Sequence, residues 1–97
     1  MDFSATRDDP YGYTKLRSAV ESFAGQLEEL GLPTLAARLR ASEKYAGMPM
    51  EWMGETAFAL NDVLVTGGLL DRLRRDMDET VEAIRIGFRR VGSTPSF

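Results

Sequence analysis

Residues 13–30 read YTKLRSAVESFAGQLEEL, and the spacing of that stretch decides the fold class. Tyr13, Leu16, Val20, Phe23, Leu27 and Leu30 step by three and four. On a helix turning about 100° per residue, such steps stack into one apolar stripe. Lys15, Ser18, Glu21, Ser22, Glu28 and Glu29 fall outside it. Gly31 suits the left-handed residue that ends a helix, and Leu32 can fold back on the last turn.

Downstream the punctuation is regular. Pro33 can open a second, short helix, since proline is tolerated at the first helical position. Leu35, Ala36 and Leu39 form its apolar face, and Arg38, Arg40, Glu43 and Lys44 its wet one. Tyr45-Ala46-Gly47-Met48-Pro49 breaks the pattern. A third helix is expected from about Met50 to Val65, with Met50, Met53, Ala57, Leu60 and Leu64 on its main face. Trp52, Ala59 and Val63 widen that face, while Phe58 and Val65 lie nearly opposite its centre. A helix apolar on so many sides is expected at the middle of a core. Gly67-Gly68 stops it. A fourth and longest helix is expected from about Leu69 to Val91, with Leu70, Leu73, Met77, Val81, Ile84, Phe88 and Val91 in line. Four helices on short connections predict an all-α, up-and-down bundle over residues 14–92. Residues 1–13, with the turn-forming Asp8-Asp9-Pro10-Tyr11-Gly12, read as a flexible lead-in, and residues 93–97 as a frayed tail.

Composition narrows the function classes. The 97 residues suit one domain, 43% hydrophobic and 28% charged. No apolar run approaches the roughly 18–20 residues of a membrane span. Met1-Asp2-Phe3-Ser4 lacks the basic start of a signal peptide, so a cytoplasmic setting is expected. Net charge is −3, which disfavours nucleic acid and anionic membranes and suits a basic protein partner. Six arginines on the fourth helix are interleaved with acids, so no basic stripe forms there.

Cysteine and histidine are both absent. A Ser-His-Asp or Cys-His site is therefore impossible, and zinc or iron–sulfur ligation lacks its preferred ligands. Lys15 and Ser18 lie one turn apart on a wet face, without the apolar surroundings that a Ser–Lys nucleophile pair needs. Glu79-Thr80-Val81-Glu82 supplies one acidic pair, but Glu82 is the last acid of the chain, so no second pair completes a helical metal site. No enzyme, metal site or cofactor is expected.

What remains points to binding. Glu51, Glu55 and Asp62 fall within roughly 40° of one another on the third helix, and no Lys or Arg occurs between Tyr45 and Asp71. This stripe is either the solvated edge of the helix, or paired to arginines of the second or fourth helix, or else a binding surface, for a basic partner or weakly for Mg²⁺ or Ca²⁺. Tyr45, Met48, Trp52 and Phe58 add contact area if they are exposed, with Tyr45, Met48 and Trp52 open between surface and core. On the fourth helix, Ile86 points away from the apolar stripe. With Ala83, Gly87 and Arg90 it makes a candidate contact for a homodimer.

Trp52-Met53-Gly54, near the middle of a short helical chain without cysteine, resembles the Trp-x-Gly helical-hairpin proteins of bacterial type VII secretion. That resemblance implies two long helices joined at the Trp-x-Gly turn, working as a secreted dimer. In size, acidity and helical character the chain also resembles small bacterial immunity or antitoxin proteins. The leading expectation is a non-catalytic protein-binding module of immunity or regulatory type. It would take a basic partner on Tyr45, Met48, Glu51, Trp52, Glu55, Phe58 and Asp62. The alternatives are a self-assembling structural homodimer and the secretion-type hairpin.

Overall fold

The computed structural model describes residues 3–9, 12–66, 69–90 and 92. Among them it holds four α-helices, α1 (Tyr13–Glu29), α2 (Pro33–Arg40), α3 (Pro49–Leu64) and α4 (Asp71–Arg90), with a 3-10 turn at Ala41–Tyr45 and no strand. The expected Gly67-Gly68 break, Val91 and the 93–97 tail lie outside the described residues.

Each boundary has a local cause. α1 starts at Gly12, whose φ of 64° places it in the left-handed region. Its N–H donates to the Asp9 carbonyl at 3.0 Å. The Asp9 carboxylate accepts from the Thr14 N–H at 3.1 and 3.2 Å, putting negative charge on a first-turn donor. The helix ends as the sequence predicts. Gly31, at φ 77°, donates to the Glu28 carbonyl, and Leu32 donates back to Leu27 at 2.9 Å. These two bonds form the pattern that satisfies a helix's last carbonyls. Pro33 and Pro49 each occupy the first turn of the helix that follows. At the end of α3 the Arg74 guanidinium donates to the carbonyls of Leu64 at 2.6 Å and Thr66 at 3.0 Å. A cation thus sits on the negative end of the helix.

α1 and α2 form one antiparallel pair, α3 and α4 another. α4 also packs on α1, and α2 on α3. The core runs between them through Leu16, Val20, Phe23, Leu27, Leu39, Trp52, Met53, Leu60, Val63, Leu73, Met77 and Ile84. Ion pairs stitch the first pair from outside. Arg40 on α2 bridges Glu21 and Glu28 on α1, and Arg17 on α1 holds Glu43 on the 3-10 turn.

Several expectations need correction. Within the lead-in, residues 3–9 make contacts that the sequence pattern did not predict. Phe3 packs against the core, Thr6 and Asp9 exchange backbone bonds, and Lys15 Nζ donates to the Ser4 carbonyl at 2.9 Å. Trp52-Met53-Gly54 lies inside α3 instead of at a turn, so the two-helix hairpin implied by the Trp-x-Gly resemblance is not formed. Leu70, expected in the core, precedes α4 and is 60% exposed, because Leu69 fills that place instead. Leu30 also turns outward, as the capping residue of α1. Finally, the buried face of α3 keeps Met53, Ala57 and Leu60 as expected but extends toward the residues that widen it, at the expense of its two ends. Met50 and Leu64 are half-buried, while Trp52, Thr56, Ala59 and Val63 are fully enclosed.

Candidate functional site

Burying α3 on its Trp52–Val63 side leaves the opposite side in solvent. Met48, Glu51, Glu55, Phe58, Asp62 and Val65 follow at steps of three and four, so they form one outer edge. All six are exposed, the apolar ones at 50% for Met48, 45% for Phe58 and 86% for Val65. Large apolar side chains this open, alternating with carboxylates on one edge, suit a contact surface.

The three acids are not equivalent. Asp62 is held by Arg38 of α2, whose Nη2 and Nε lie 3.0 and 3.2 Å from Oδ2. Its charge is thus answered within the chain, as one of the sequence readings had it. Glu51 and Glu55 are exposed and enter no ion pair among the described residues. The edge therefore carries two unanswered negative charges between Met48 and Phe58.

Two of the expected site residues belong elsewhere. Trp52 is 1% exposed, because it projects toward α1 and meets Tyr13 edge-on with ring centroids 5.3 Å apart. Tyr45 is half-buried, and Lys44 Nζ sits 5.2 Å from its ring centroid, so a cation already occupies that aromatic face. Val65 is the reverse case. The sequence put it opposite the core, yet its spacing with Phe58 and Asp62 is what makes it part of the edge.

On α4, Ile86 is 41% exposed and Arg90 is exposed, while Ala83 is half-buried. Gly87 leaves the candidate dimer contact. It is buried, and a Cβ there would point at Met53 Sδ, 4.0 Å away.

A shallow depression of about 490 Å³ between α1 and the 3-10 turn is lined by Thr14, Arg17, Ser18, Glu21 and Glu43. Its charges are spent on neighbours. The bond to Glu43 raises the pKa of Arg17, and the bond to Arg40 lowers that of Glu21. Burial raises the Tyr13 phenol nearby, with Arg17 opposing and Glu43 adding to the shift. Lys15 is engaged with the Ser4 carbonyl, away from a nucleophile's role with Ser18. Among the described residues no three Asp, Glu, His or Cys side chains gather into one cluster. No protein-family model matches the chain, and no curated protein and no solved structure matches it either.

Proposed function

We propose that this chain is a non-catalytic binding module whose α3 edge receives a basic segment of a partner protein, in a regulatory or immunity-type role within the cytoplasm. One observation carries the reading: Glu51 and Glu55, without an ion-pair partner among the described residues, stand between the exposed Met48 and Phe58 on a single edge. Opposite charge steers a partner to such a surface, and the apolar side chains supply the area that holds it. The step of three and four suits a helical segment laid along α3, with Lys or Arg beside the two glutamates and an apolar residue over Phe58. The absence of His and Cys from the whole chain fits a role without bond-making chemistry.

The test is charge reversal. Glu51→Lys combined with Glu55→Lys should abolish capture of the partner that the unaltered protein retains from its own cell lysate, with helix content by circular dichroism unchanged. Phe58→Asp should weaken the same capture. Retention of the same partner by both variants would remove the α3 edge from consideration.

A further inference from the structure

We infer that the outer side of α4 is a self-association seam on which two copies of the chain pair antiparallel. Glu79, Ala83, Ile86 and Arg90 follow one another at steps of four, three and four on the side of α4 turned away from Leu73, Met77 and Ile84. That is the spacing of a two-helix seam, where residues of one helix fit between those of its partner. Glu79, Ile86 and Arg90 are exposed, and Ala83 is half-buried.

The order of chemistry along the seam is acid, small, large, base. A second copy laid antiparallel, with its two-fold axis midway between Ala83 and Ile86, meets its complement at every place. Glu79 faces Arg90 of the second copy and Ile86 faces its Ala83, and each pairing occurs twice, as a closed two-fold interface requires. The parallel arrangement sets Glu79 on Glu79 and Arg90 on Arg90, so like charges oppose it. Ala83 gives the larger Ile86 side chain room at the centre, a fit that the inward-facing Gly87 has no part in. The α3 edge cannot serve two copies this way, because Glu51 and Glu55 have no cation on that helix to meet.

The seam covers twelve residues, about 18 Å of helix, well short of a standard protein interface. Association is therefore weak and reversible, and it is independent of the partner proposed for α3.

Sedimentation equilibrium across a concentration series tests it with three proteins. The unaltered chain should form a reversible dimer. Glu79→Arg alone and Arg90→Glu alone should each dimerise at least about tenfold more weakly, since each homodimer then opposes like charges twice. An equal mixture of the two variants should recover association, because every seam pair in the mixed dimer is again acid against base. Glu29→Arg, on the exposed side of α1, should leave the unaltered dimerisation intact and so exclude a general effect of net charge. Circular dichroism checks that each variant is folded. A monomer at all concentrations up to about 1 mM, single variants that associate like the unaltered chain, or a mixture that stays monomeric would each overturn the proposal.

Discussion

The rings of Tyr13 and Trp52 meet edge to face, with centroids 5.3 Å apart and planes 81° apart. The Tyr13 hydroxyl continues past that contact and donates to the Ala46 carbonyl at 2.5 Å. The first residue of α1 thus packs on α3 and also pins the segment that leads into α3. Trp52→Ala should cost about 3–5 kcal/mol of stability, the range for emptying a large aromatic site. Tyr13→Phe keeps the ring and removes the hydrogen bond, so about 1 kcal/mol should be lost. Urea denaturation followed by circular dichroism measures both, and equal losses would contradict this ordering.

Two left-handed glycines should respond differently to the same substitution. Gly31 has φ 77° and open space around its missing side chain. Gly31→Ala should therefore cost only the backbone penalty, roughly 1–2 kcal/mol. Gly12 has φ 64°, and a Cβ there would lie 2.3 Å from the Phe3 carbonyl oxygen. Gly12→Ala should lose more than Gly31→Ala in thermal denaturation. Truncating the chain before Thr6 should bring the two losses together.

Acid should loosen the α1–α2 pair first. The bond from Arg40 holds the Glu21 carboxyl below its ordinary value of 4.5. A group depressed in the folded state contributes stability that is present above its unfolded pKa. That contribution fades as pH falls through the lower folded value. Glu21→Gln should therefore be less stable than the unaltered protein at neutral pH, and the gap should close on acidification below about pH 4.5. The gap is small, because Glu21 is largely in solvent and Arg40 partly so. Thermal melts of the two proteins across pH 2–7 would show the convergence, and a constant gap would contradict it.

The sequence was most legible where one period and one punctuation mark coincided. α1 ended on Gly31 and Leu32 as its pattern required, and Pro33 and Pro49 opened helices. The shared edge of Glu51, Glu55 and Asp62 and the outward position of Phe58 also followed from the spacing, whereas Met48 was left open between surface and core. α3 was harder because its apolar residues lie on most sides, so periodicity left its rotation undetermined. Trp52 could not be assigned to the surface or the core without knowing that Tyr13, 39 positions away, would stand beside it. Thr56 shows the same limit, since a fully buried hydroxyl gives no signal in an apolar pattern. The fold-back of residues 3–9 rests on scattered backbone bonds and one phenylalanine, which carry no period. Arg38–Asp62 and Arg40–Glu21 connect helices, so residue order alone could offer the first only as one of several readings.

Arg74 reaches back ten residues to the carbonyl of Leu64, the last residue of α3, and eight residues to that of Thr66 just beyond it. In kinetic terms, this makes α3 and α4 a hairpin that closes through nearby residues, at small cost in loop entropy. The α1–α2 hairpin and the 3-10 turn after it close over wider separations, 12 and 19 residues for the Arg40 bridges and 26 for Arg17–Glu43. The slow event is then the meeting of two preformed halves at Trp52. On that view Arg74→Met should slow folding, whereas Tyr13→Phe should mainly speed unfolding. Stopped-flow folding and unfolding rates of the two variants would reverse that assignment if the long-range aromatic contact forms first.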